Sequence, residues 1–229
     1  MMNQLSYLTK KQTLYGFYFL YFQAVLLPLI LALVNTLLPN PLSDAILNFI
    51  YFSISFLCAI LLFRNYLYGQ IAALRSSPMR VLRWALSGYV LYYAAFICVG
   101  ILIQHIYPEF SNANDNNIGA LVQDNFILTT VGTVLLVPPV EELLYRTLLF
   151  GTIHKRSRIA AYIINIIIFG GIHIVEYIGS SDPISLILSF LQYVPACICL
   201  CWAYERTNSI FAPMLMHMAI NLLGIFLVR

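Results

Sequence analysis

The chain has 229 residues, of which 61% are hydrophobic and only 9% charged, with a mean hydropathy of +0.85. A soluble domain carries about 25% charged residues, so this chain cannot cover a water-facing surface and lipid must be its solvent. A formal net charge of +3 is too small to suggest nucleic acid as a partner.

Residues 1–11 are polar and include Lys10 and Lys11. The long apolar run after them has no small-residue cleavage site, so it reads as a first span rather than a removed signal peptide. At about 20 residues per crossing, seven apolar stretches can span: 13–37, 46–63, 82–105, 124–150, 159–178, 184–203 and 209–228. The expected architecture is all-α. It is a polytopic transmembrane helical bundle of about seven spans, one integral membrane domain over 1–229. Segment 64–83 is expected as a cytoplasmic loop, or as an interfacial piece with its arginines near anionic head groups. The longest irregular connection is expected at 106–123, around the polar run from Ser111 to Asn117.

Seven spans sort the charges. Lys10, Lys11, Arg64, Arg75, Arg80, Arg83, Lys155, Arg156, Arg158 and Arg206 all fall on one side, and Asp44, Glu109, Asp115, Asp124 and Asp182 on the other, with only the terminal Arg229 breaking the pattern. The positive-inside rule then puts the N-terminus in the cytoplasm and the C-terminus outside. Lys10, Lys11 and Lys155 are the only lysines, so no span offers a Schiff-base lysine for a retinal-type receptor. Cys58, Cys98, Cys197, Cys199 and Cys201 lie inside apolar runs with no CxxC pair and read as small apolar residues, not as a disulfide or metal framework.

Ionisable groups inside spans are costly and therefore informative. Span four carries Glu141, Glu142 and Arg146; span five carries His173; span seven carries His217 and Asn221. Glu142 and Arg146 stand at i and i+4, so they can pair on one face. That leaves Glu141, pointing about 100° away, free for general-base work. Pro138-Pro139 can start or kink a helix just before the glutamates and open a polar cavity at membrane depth. Gly170-Gly171 let a neighbouring helix approach close to His173. His217 and Asn221, also i and i+4, project to one face. Singly, each has an ordinary structural explanation: a buried ion pair, an interhelical hydrogen bond. His105 at a span end, His154 in a basic loop and Glu176 near an interface need no other. Together, three spans bear polar groups that lipid rejects, and these are satisfied most cheaply by facing one another. Such a set can hydrolyse an amide without a Ser or Cys nucleophile. Glu and His would hold and deprotonate water, and His and Asn would donate to an oxyanion.

The motifs Glu141-Glu142…Arg146, Phe169…His173 and His217…Asn221 resemble those of the CPBP family, the CaaX-processing and bacteriocin-processing intramembrane proteases, also called Abi. The segment Arg206–Pro213 resembles that family's approach to its third motif, and the resemblance covers about 134–225, within a motif-bearing core of about 124–228. It implies that Glu141 and His173 activate water, that His217 and Asn221 stabilise the oxyanion, and that Glu142 and Arg146 support the site. It also implies a peptide or a prenylated, lipid-associated protein as substrate. Short loops resemble the bacterial branch, whose members are linked to bacteriocin self-immunity and peptide maturation, and so suggest a bacterial plasma membrane. Whether a metal takes part stays open. Glu141, His173 and His217 can form a three-ligand zinc set, but no His-Glu-x-x-His helix is present, and metal-independent glutamate catalysis is favoured. Two rival readings use the same polar cavity without hydrolysis. One is a non-catalytic immunity or peptide-binding protein. The other is a proton-coupled carrier, against which the lack of an inverted repeat counts.

Overall fold

The computed structural model describes residues 7–228, and among them the regular elements are eight helices and no strand. α1 is Lys10–Leu37, α2 Asp44–Ser76, α3 Pro78–Ile106, α4 Ala113–Asp124, α5 Phe126–His154, α6 Arg158–Ile172, α7 Pro183–Thr207 and α8 Phe211–Leu227. The expected all-α bundle is therefore what forms. Five helices, α1, α2, α3, α5 and α7, are long and apolar enough to cross a bilayer. The fifth and seventh expected spans are shorter. α6 has 15 residues and α8 has 17, about 22 and 26 Å of helix against a hydrocarbon core near 30 Å.

Burial separates an inner from an outer layer. In the most apolar window of α5 half the residues are buried, and in α7 44%, against 11–17% in α1, α2 and α3. The outer three helices turn rows of leucine and isoleucine outward, among them Leu33, Leu61 and Ile101. In water that pattern would be untenable; in lipid it costs nothing. The main core joins α5, α6 and α7 to Phe63 and Tyr66 of α2, and a second cluster joins α3, α7 and α8.

Three local expectations are corrected. Segment 64–83 is not a loop. α2 continues to Ser76 through good helix formers, and α3 begins at Pro78, with only Ser77 between them. At 33 residues α2 is about 50 Å long and outruns the hydrocarbon, so Arg64 and Arg75 ride on a helix that leaves it. Nor is 106–123 irregular. Asn112 caps α4, its Oδ1 accepting the N–H groups of Asn114 and Asp115, and the Asn-rich run is the first turn of a helix. The apolar stretch 159–178 breaks at residue 173. A short 3-10 turn at Val175–Tyr177 follows, and then a bend through Gly179, whose φ of +92° favours glycine.

α1 opens on a capping box. Thr9 Oγ1 accepts the Gln12 N–H at 3.2 Å, and Gln12 Oε1 accepts the Thr9 N–H at 3.1 Å. Its middle turn, Phe22–Leu26, is π-helical, just before Pro28. The wider turn relieves the clash between the proline ring and the carbonyl four residues earlier. Asp124, at the end of α4, accepts the Ala45 N–H at 2.9 Å and so ties the α4–α5 junction to the first turn of α2. That bond, with a second from Ser43, holds the Asp124 carboxyl below the usual aspartate range.

Candidate active site

α5 carries the first motif, and its backbone is unusual there. Pro138 and Pro139 do not start the helix; they lie inside it, flanked by π-helical segments at Gly132–Leu136 and Glu142–Phe150. A proline in a helix interior removes one hydrogen bond and crowds the carbonyl four residues back. For Pro138 that carbonyl belongs to Val134, inside the first wide turn. The second wide turn begins at Glu142, so the two glutamates straddle a change of helical pitch. A side chain from α6 supports the altered ladder: Asn165 Nδ2 donates to the Tyr145 carbonyl at 2.7 Å, and Cys201 of α7 donates to Asn165 Oδ1 at 3.1 Å. π-turns of this kind often mark functional sites.

The two glutamates differ in surroundings. Glu142 is fully buried, with Arg146 Nε 3.2 Å from its Oε2, and Arg146 is equally buried. The Arg146 guanidinium carbon lies 4.1 Å from the centroid of the Phe169 ring, so this cation is met by one carboxylate and one aromatic face. Glu141 keeps 17% of its side chain exposed, into a cavity.

His217 sits between the two carboxylates. Its Nδ1 is 2.7 Å from Glu142 Oε1, and its Nε2 is 3.7 Å from Glu141 Oε2. A carboxylate paired with arginine only accepts, so Nδ1 carries a proton and Nε2 faces Glu141. One helical turn further on α8, Asn221 Nδ2 donates to the Thr133 carbonyl at 2.9 Å, which leaves the second amide hydrogen of Asn221 for another acceptor.

His173 caps the end of α6. Its Nδ1 lies 2.7 Å from the Phe169 carbonyl, which also only accepts, so Nδ1 carries the proton and Nε2 a lone pair. The imidazole is stacked on Tyr193 of α7 at 4.4 Å and packs against Phe169 at 4.8 Å. The Phe169 ring is also 6.1 Å from His217, so one phenyl touches both histidines and the arginine. α7 comes this close because residue 170 is glycine: a Cβ there would stand 2.8 Å from Phe190 Cε2. Gly171 meets nothing within 4 Å, so only one of the pair serves the approach.

Glu141, His173, His217 and Asn221 all line one cavity of about 830 Å³, whereas Glu142 and Arg146 lie behind its wall. Tyr51 and Gln23, hydrogen-bonded to each other, line it on the α1–α2 side. Asn114, Asp115 and Glu176 also line it, so the exposed Glu176 contributes to the cavity as well. His105 and His154 do not line the cavity. His105 is in the exposed last turn of α3, and His154 Nε2 is 3.1 Å from Glu205, which Arg158 and Tyr162 also bind.

Sequence reasoning missed three contributors. The second function of Glu142, as partner of His217, was hidden because a local i,i+4 arginine already explained it. Asn165 was visible as a polar residue in an apolar stretch. Tyr193 gave no signal, since tyrosines are common throughout this chain. For a metal, both imidazoles offer Nε2 with Nδ1 held by an acceptor, as ligand histidines require. Yet among the described residues no three His, Cys, Asp or Glu side chains converge on a point an ion could occupy, so the donor chemistry fits zinc and the spacing does not.

Residues 123–223 match the family model described as Rce1-like, type II CAAX prenyl endopeptidase. No curated protein and no solved structure is significantly similar to the chain.

Proposed function

We propose that this chain, whose residues 123–223 match the Rce1-like type II CAAX prenyl endopeptidase model, is a peptidase of that kind and hydrolyses a peptide bond inside the membrane with a water activated by Glu141 and His173. Five helices long and apolar enough to cross a bilayer, together with the family match, support this reading of an integral membrane peptidase. The substrate is a peptide or a prenylated, lipid-associated protein that enters the cavity.

The observation that carries the mechanism is the division of the polar residues by the cavity wall. Glu141, His173, His217 and Asn221 face the space and Glu142 and Arg146 do not. The Glu141 carboxylate and the His173 Nε2 lone pair both accept hydrogen bonds, so both suit a water between them. Glu141 takes the water's proton as its oxygen attacks the carbonyl carbon, and later returns that proton to the departing amine. The carbonyl oxygen becomes an oxyanion. His217, its ring fixed by Glu142 at Nδ1 and with Nε2 3.7 Å from Glu141, donates to it through Nε2 when that nitrogen carries a proton. Asn221 supplies the second donor. Donors fixed beforehand in a dry site typically supply a large part of the rate.

The test is cleavage of a quenched peptide library, with and without a farnesylated cysteine, by purified protein in detergent. The wild type should cleave and Glu141→Gln should not. Equal cleavage by both would overturn the assignment.

A further inference from the structure

The basic end of the bundle holds a feature that peptide hydrolysis does not use. Where the C-terminus of α7 meets the N-terminus of α3, Trp84 and Trp202 pack edge to face, with ring centroids 5.0 Å apart at 85°. The Arg206 guanidinium lies over both rings, 5.4 Å from Trp84 and 5.7 Å from Trp202. Arg80 Nη2 donates to the Arg206 carbonyl at 2.7 Å, which brings Arg80 to the same spot. Arg83, exposed, precedes Trp84. Arg80 and Arg206 thus meet on one seam, and Arg83 stands three residues after Arg80 on α3 as the third arginine there. Among the described residues, none of the three has a carboxylate within 4.0 Å. The adjacent acid, Glu205, is taken by Arg158, Tyr162 and His154.

Like charges held together without an internal counter-ion need an external one. Guanidinium forks fit phosphate oxygens, and the stacked Arg206 has its fork pre-positioned by the rings beneath it. Tryptophan pairs of this kind settle at the level of lipid head groups. We propose that Arg80, Arg83 and Arg206, on the Trp84–Trp202 platform, form a binding site for the phosphate of an anionic phospholipid at the α3–α7 seam. Arg206 is 13 residues along α7 from Tyr193, about 20 Å of helix, so the site is separate from the cavity and independent of the proposed hydrolysis.

The experiment is native mass spectrometry of the detergent-purified full chain with added phosphatidylglycerol, phosphatidylcholine or inorganic phosphate. Phosphatidylglycerol should bind and phosphatidylcholine should not, and millimolar phosphate should fail to displace the lipid. Arg206→Gln and Arg80→Gln should each weaken binding about fivefold, in line with the attraction of one basic side chain near an anionic surface. Arg83→Gln removes no internal contact and so tests the site without risk to folding, and it should show a similar loss. Arg64→Gln, an equal change in charge elsewhere, should leave binding as it was. Indifference to the head group, displacement by free phosphate, or equal losses at Arg64 and Arg83 would each overturn the proposal.

Discussion

His217 Nδ1 lies 2.7 Å from Oε1 of Glu142, 75 residues earlier in the chain, and Glu142 gives its other oxygen to Arg146 at 3.2 Å. One buried carboxylate therefore neutralises an arginine and fixes the ring of a histidine that faces the cavity. Adjacent Glu141 carries neither duty. Neighbours in sequence, the two glutamates should fail differently when mutated.

Glu141→Gln keeps the shape and removes the base. Turnover should fall by roughly 10²–10⁴, the usual worth of a positioned acid–base group, while thermal stability stays close to wild type. Glu142→Ala leaves the Arg146 charge buried and unpaired, which costs about 3–5 kcal/mol, and frees His217 to rotate. That variant should lose stability and turnover together. Parallel thermal melts and cleavage assays in one detergent distinguish the two. Equal destabilisation by both substitutions would contradict the division of labour.

Tyr193 should act as a positioning residue for His173, since their rings stack at 4.4 Å and 30° while Nδ1 is pinned to the Phe169 carbonyl. Tyr193→Phe retains the stack and should keep nearly full turnover. Tyr193→Leu lets the imidazole tilt and should lower kcat roughly tenfold, within the ~100-fold that a 1 Å misplacement can cost, with KM little changed. A cavity wall that merely binds substrate would instead move KM. Steady-state kinetics of the pair decides between them.

Much of this site was legible because hydrocarbon makes polar residues conspicuous. Glu141, His173, His217 and Asn221 stood out against apolar neighbours, and the structure brings all four to one cavity. Helix type and the apolar stretches were legible for the same reason. Helix lengths were not. A hydropathy window ends where polarity begins, so it cut α2 at residue 63 although nothing breaks the helix before Ser77 and Pro78. The same window ran through residue 173 because Ile174, Val175 and Ile178 are apolar, although the chain bends there. The π-turns around Pro138-Pro139 were out of reach too, since sequence shows that a proline must be accommodated but not how.

If Glu141 and His173 activate water without a metal, cleavage should survive chelation. Dialysis against 1,10-phenanthroline and EDTA should leave turnover within about twofold, and elemental analysis of active protein should find far less than one zinc per chain. The donor set is chemically suited to zinc, so the test is a severe one. Loss of activity on chelation, restored by zinc alone, would replace the water-activating role of Glu141 with ligation.

A pH dependence of stability should come from Asp124, well away from the cavity. Its carboxyl sits below the ordinary aspartate range because it accepts from the Ala45 N–H and from Ser43. The stabilisation is fully present above the unfolded value, about 3.9, and is lost as pH falls through the lower folded value. Asp124→Asn removes the charged acceptor at the first turn of α2 and with it this contribution. Melting temperatures of wild type and variant should therefore differ at pH 7, with the wild type higher, and should draw together as the pH approaches 3. A gap that stays constant over that range would show that Asp124 holds the α2–α4 junction by packing rather than by its charge.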